Sequence, residues 1–207
     1  MKDYKCIIYD FDGVICDSVN LKTEAFASLY QSYGSEIVDK VKSYHLLNGG
    51  ISRFEKFKYF SKVLLNRDIS DRELVEMGES FSKIVLNKII EKSINSGVIE
   101  YLESQLTSSI QFICSGTPNE EMKLIVKEKK LDKYFREVFG SPLPKTAIIN
   151  NIMEKYKLNS TDVLFFGDAM TDYLAAQETS IDFIGIENSD TEFPNGTVTI
   201  RSFNQLL

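Results

Sequence analysis

No run in the 207-residue sequence approaches the ~20 consecutive apolar residues that a membrane-spanning helix requires, which argues against a membrane role. Nor is there an excess of positive charge: 24 Lys and Arg against 30 Asp and Glu leave a formal net charge of -6. That balance argues against a nucleic-acid partner or an anionic membrane surface. It leaves room for a small anionic substrate, because a local pocket can be positive on an acidic protein. Cysteine is sparse. Cys6, Cys16 and Cys114 are odd in number, widely spaced and form no CxxC pair, so they offer no disulfide framework and imply a reducing, cytoplasmic setting. The opening stretch MKDYKCIIYDFDG passes from a short apolar run straight into polar residues, without the apolar core and small-residue cleavage site of a secretory leader. Proline is scarce, and SPLP (Ser141 to Pro144) is its one cluster. There is no internal repeat, low-complexity tract or charge block, and no mark of oligomeric state.

What is present is a core. Hydrophobic residues make up 43% of the chain, enough to exclude global disorder. Short, near-continuous apolar runs read as strands covered on both faces: YKCIIYD (Tyr4 to Asp10), SIQFICS (Ser109 to Ser115), DVLFFGD (Asp162 to Asp168), IDFIGI (Ile181 to Ile186) and TVTI (Thr197 to Ile200). EVF at Glu137 to Phe139 reads as a shorter one. Helical patterns lie between them: VIEYLESQL, NEEMKLIVKEKK, TAIINNIMEKY and TDYLAAQE. Strand alternating with helix predicts an α/β, Rossmann-like parallel sheet. Residues 19–92 break the alternation. LKTEAFASLYQSYG, SRFEKFKYFSKVLL and SDRELVEMGESFSKIVLNKIIEK all read as helices with no strand between them. SRFE at Ser52 and SDRE at Ser70 fit capping boxes. The expectation is a Rossmann-like core formed by 1–18 and 93–207, with an inserted all-helical bundle at 19–92.

The chemistry clusters at predicted strand ends. Asp10 and Asp12 are two apart and so point the same way as the first strand finishes, and Gly13 permits a sharp turn. Asp168 follows a later strand, with Asp172 one helical turn on. In a parallel sheet all carboxyl ends lie at one edge, so these four acids converge. Gathered carboxylates repel and call for a hard divalent cation, with Mg²⁺ the usual choice beside a phosphate. Ser115 ends another strand, with Gly116 and Thr117 opening the next helix, and the stretch offers a hydroxyl and free N–H groups to phosphate oxygens. Lys145 opens a helix, where its charge opposes the dipole and wants an anion in front of it. His45, the single histidine, reads as structural or exposed, and the aromatic series Phe54, Phe57, Tyr59 and Phe60 reads as packing.

DFDGV at Asp10, ICSGT at Ser115, PKTA at Lys145 and GDAMTD at Asp168 together resemble the four motifs of the haloacid dehalogenase superfamily of phosphohydrolases, over nearly the whole chain. The helical insert resembles that superfamily's helical cap, with likeness to phosphoglycolate phosphatase and β-phosphoglucomutase members. The resemblance implies that Asp10 is the nucleophile and Asp12 the acid and base. It implies that Ser115, Gly116 and Lys145 bind phosphate. Mg²⁺ would be held by Asp10, Asp168 and the backbone carbonyl of Asp12, with Asp172 orienting the metal site. GGISRFEKF resembles a segment that turns its arginine, here Arg53, toward substrate. The implied reaction is hydrolysis of a small-molecule phosphate ester through a phospho-aspartyl intermediate. A phosphomutase shares that intermediate, but Lys22 stands where such members carry a cap-hinge histidine. Dehalogenases lack an acid at the position of Asp12. The phosphonate-cleaving branch needs a cap lysine that forms an imine; cap lysines are plentiful here, but DFDGV is not its usual first motif. A catalytically retired binding module would not need the motifs intact.

Overall fold

The computed structural model describes residues 2–207. Six parallel strands form one sheet: β1 (Cys6–Tyr9), β2 (Ile110–Pro118), β3 (Glu137–Ser141), β4 (Val163–Gly167), β5 (Asp182–Ile186) and β6 (Thr199–Ile200), in the order β3-β2-β1-β4-β5-β6. All six expected strands are present, but β2 runs on through Pro118, so Gly116 and Thr117, expected to open the next helix, lie in the strand, and α6 begins only at Asn119. Successive side chains alternate between faces. Ile7, Tyr9, Ile113, Leu164 and Phe166 join one apolar cluster, while Cys6, Ile8, Phe112, Cys114, Val163 and Phe165 join the other. Both faces are covered, which is why the runs read as continuous rather than alternating. Helices α7 (Lys145–Tyr156) and α8 (Met170–Thr179) cover the second face. On the first face lie α5 (Val98–Gln105) and α6 (Asn119–Glu128). The three cysteines are buried free thiols.

Between β1 and α5 the regular elements are helices, apart from isolated bridges of Cys16 with Asp12 and Ile94: α1 (Val19–Tyr30), α2 (Ser35–Leu47), α3 (Arg53–Tyr59) and α4 (Asp71–Glu91). Phe26 of α1 anchors them, with ring centroids 4.5 Å from Phe81 of α4 and 5.5 Å from Phe57 of α3. Ser70 and Glu73 form the expected capping box. At Ser52 the expectation is half met: Ser52 accepts from the Phe54 N–H at 3.3 Å, but Glu55 reaches forward to Lys58 instead of back. The long helix expected over SRFEKFKYFSKVLL loosens into a π-helical turn at Phe60–Leu64. Helix α2 has no counterpart in the sequence reading, because it buries little beyond Val41 and His45 and so shows almost no apolar stripe. Among the described residues no helix is long and apolar enough to cross a membrane.

The register places the site. Tyr9 lies opposite both Ile113 and Phe166, so β1, β2 and β4 run out side by side. The residues that follow at that edge are Asp10, the Cys114–Gly116 stretch and Gly167–Asp168.

Candidate active site

Asp10 is the first residue past β1. Its N–H donates to the Phe166 carbonyl at 2.9 Å, which extends the sheet by one bond and fixes the backbone. Its Oδ1 accepts from the Phe11 N–H at 2.7 Å and its Oδ2 faces the Lys145 ammonium at 3.0 Å. Lys145 also contacts Asp172, whose Oδ2 accepts from the Ala169 N–H at 3.1 Å. Carboxylate oxygens of Asp10, Asp168 and Asp172 lie within 4.8 Å of one another. The anion that the helix-start lysine called for is therefore in place, supplied by two aspartates.

Gly13 makes the convergence possible. Its φ is +78°, and a Cβ there would sit 1.9 Å from Asp168 Oδ2. The turn after β1 thus needs glycine twice, for conformation and for room. Gly116 leaves room of the same kind on the other side, where a Cβ would meet the Gly50 carbonyl at 2.3 Å. That contact brings the loop between α2 and α3 onto the end of β2, and Thr171 reinforces it by donating to the Gly49 carbonyl.

Electrostatics divide the acids. Burial, with Asp172 and Asp12 adding to it against Lys145, pushes Asp10 up to about 7. Burial, then Asp10 and Asp172, push Asp168 well above the carboxylate range. Asp12 goes the other way. Burial works against it, but Lys22 and Ser18 outweigh burial and hold it low. Its carboxylate accepts from Lys22, Ser18 and Thr117 and stands apart from the other three acids. Lys145 is raised, its own burial being outweighed by Asp10 and Asp172.

One lysine thus faces three buried carboxylates, two of them unwilling to ionise. The donors are all oxygen. That set fits a hard divalent cation, which would let Asp10 and Asp168 ionise together.

A cavity of about 510 Å³ opens from these acids toward α1–α4, and its wall includes Asp10, Asp12, Asp168, Lys22, His45 and Lys56. Ser115, Gly116 and Lys145 line an adjoining cavity of about 320 Å³. Ser115 is buried, with its Oγ accepting from the Thr117 N–H at 3.1 Å.

Arg53 departs from the role its segment suggested. It lies on the wall of the larger cavity, but its guanidinium is engaged by both oxygens of Glu121 on α6, by Ser82, and by the Phe81 ring at 4.5 Å. A substrate group there would have to displace a bidentate carboxylate. His45, expected to be structural or exposed, is buried on the cavity wall against Lys56. Lys22, Ser18 and Thr117 gather on Asp12, and Glu121 pairs with Arg53. None of these contacts has a local sequence signal, because the partners are up to 105 residues apart.

The chain is similar to known proteins in sequence and in fold. A family model described as haloacid dehalogenase-like hydrolase matches residues 7–186. Phosphoglycolate phosphatase 1 of Pseudomonas aeruginosa is 24% identical over 194 residues, covering 86% of this chain and 67% of that protein. A phosphorylated carbohydrates phosphatase of Thermotoga maritima is 25% identical over 186 residues, covering 87% and 83%. The crystal structure of a β-phosphoglucomutase from Clostridium difficile superposes with a TM-score of 0.79 at 21% identity, covering 99% of this chain and 93% of that one, and so shares the fold. With the four motifs gathered at one sheet edge and the family model spanning most of the sequence, the chain belongs to the haloacid dehalogenase-like hydrolase family.

Proposed function

We propose that the chain is a phosphatase that hydrolyses a small phosphorylated metabolite through a phospho-aspartyl intermediate on Asp10. The observation that carries this is the position of Asp10: buried at the end of β1, 3.0 Å from Lys145 and within 4.8 Å of the Asp168 and Asp172 carboxylates. Residues 19–92 act as a cap over a core of 1–18 and 93–207. The phosphatase names of the Pseudomonas and Thermotoga relatives support the reaction class.

An Asp10 carboxylate oxygen attacks phosphorus, and the bond from phosphorus to the ester oxygen breaks. The leaving oxygen takes a proton from the pair formed by Asp12 and Lys22. It passes through the Asp12 carboxylate, on which Lys22, Ser18 and Thr117 converge. Asp12 then removes a proton from water as the water oxygen attacks phosphorus, which releases inorganic phosphate and restores Asp10. Ser115, the Gly116 N–H and Lys145 hold the remaining phosphate oxygens. Asp172 holds Lys145 in place. Asp10, Asp168 and the Asp12 backbone carbonyl would hold Mg²⁺, which would supply charge neutralisation between the nucleophile and the phosphoryl group.

The test is phosphate release by the wild-type protein and by Asp10→Asn, with acid quenching to detect the protein-bound acyl phosphate. The expected outcome is metal-dependent release in wild type, an acid-stable phosphoprotein, and loss of both in a folded Asp10→Asn. Turnover of Asp10→Asn near the wild-type rate would sink the covalent mechanism. Isomerised sugar phosphate without net phosphate release would assign a mutase instead.

A further inference from the structure

Four cations line the larger cavity: Lys22, Arg53, Lys56 and Arg201. Three have a carboxylate partner, Lys22 with Asp12, Arg53 with Glu121 and Arg201 with Glu187. Lys56 has none among the described residues. It is 2% exposed, and its ammonium meets only His45, at 2.7 Å from Nδ1 and 3.4 Å from the backbone carbonyl. Phe26 flanks it at 5.7 Å.

An ammonium has donors and no acceptor, so Nδ1 of His45 must accept. Burial and then the Lys56 charge push His45 down to about 2, so the ring is neutral and carries its proton on Nε2. That Nε2 is buried, and the backbone of Val19 is the polar group that acts on the ring. Burial, then repulsion from Lys22, push the Lys56 ammonium itself down to about 7. A buried cation with no counter-charge is costly and persists where something it binds supplies that charge. Asp12 and Asp168 act on Lys56 electrostatically, which puts it within the field of the reacting end of the cavity without touching it.

We propose that Lys56 is a specificity-determining residue that binds a carboxylate on the leaving-group half of the substrate, with His45 as the positioning residue that aims the ammonium. This rests on the phosphatase reading above. A carboxylate fits better than a second phosphate. The ammonium brings one positive charge and the imidazole none, so a monoanion is neutralised, whereas a dianion leaves a net charge beside the Phe26 ring. An uncharged sugar would leave the ammonium as it is.

The test compares 2-phosphoglycolate with ethyl phosphate. The two esters have the same length and differ in a carboxylate against a methyl. The measurement is kcat/KM for each, in wild type and in Lys56→Met, which keeps the length and removes the charge. The wild-type preference for the carboxylated ester is expected to fall about 10- to 100-fold in Lys56→Met, the size of one charge-assisted hydrogen bond, mainly through KM. The melting temperature is expected to hold or rise, since a buried unpaired charge is gone. An unchanged ratio overturns the proposal. So does a lower melting temperature with equal losses on both esters, which would make Lys56 a structural residue. If wild type hydrolyses neither ester, the phosphatase reading fails, and the subsite is judged by ligand-induced thermal shift alone. A larger shift with 2-phosphoglycolate than with ethyl phosphate, abolished in Lys56→Met, supports it. Equal shifts refute it.

Discussion

Removing one partner of the Arg53–Glu121 pair leaves a charge with no water to receive it. The side chains are 4% and 11% exposed, on α3 and α6, and Ser82 bonds to both. Breaking such a pair from one side costs about 3–5 kcal/mol, because the stranded ion keeps its desolvation penalty and loses its compensation. For a chain of 207 residues that corresponds to a fall in melting temperature of roughly 6–20 °C. Replacing both sides with apolar groups removes the stranded charge. Arg53→Met with Glu121→Met should therefore return to within about 1–2 kcal/mol of wild type. A double-mutant cycle by urea denaturation measures the difference, and the coupling expected is at least about 4 kcal/mol. Kinetics give the second arm. If the guanidinium fastens the α1–α4 helices to α6, Arg53→Met lowers kcat/KM for 2-phosphoglycolate and ethyl phosphate by the same factor. Additive single mutants would refute the reasoning about the pair. A loss confined to the carboxylated ester would return Arg53 to the substrate-facing role its sequence segment suggested.

Gly13→Ala should abolish metal-dependent activity, because the new Cβ takes the space of Asp168 Oδ2, while the left-handed backbone adds about 1–2 kcal/mol of destabilisation; activity with and without Mg²⁺, together with urea midpoints, checks both. In chelator, Asp10 makes stability fall as pH rises. Its pKa is raised from 3.8 to about 7 on folding, so its contribution is full below about 4 and is lost as pH climbs through 7. Melting temperatures across that window should decline in wild type and decline less in Asp10→Asn; a slope no different in the variant contradicts the assignment. Saturating Mg²⁺ should raise the melting temperature of wild type at pH 7.5 by mass action on the native state, and chelator should remove activity. Ca²⁺ should stabilise without supporting turnover, since its looser coordination does not hold the nucleophile in line.

The sequence by itself determined the sheet and its chemical edge. Continuous apolar runs could only be strands covered on both faces, and helices between them forced parallel pairing, so Asp10, Ser115 and Asp168 had to emerge together. Glycine at position 13 was legible as a turn, though not as the space that Asp168 occupies. What the tertiary structure alone decided was which charges meet. A lysine on a helix looks the same in sequence whether it is solvated, like Lys58, or sealed beside a histidine, like Lys56. Arg53 carried a substrate-facing signature, yet Glu121, 68 residues away, claims its guanidinium. Asp10 and Asp12 look equivalent in DFDGV, but burial raises one and Lys22 lowers the other. Hydrophobic period is a local property, written along the chain. Charge compensation depends on inverse distance and on the exclusion of water, and neither quantity exists until helices distant in sequence close over the same cavity.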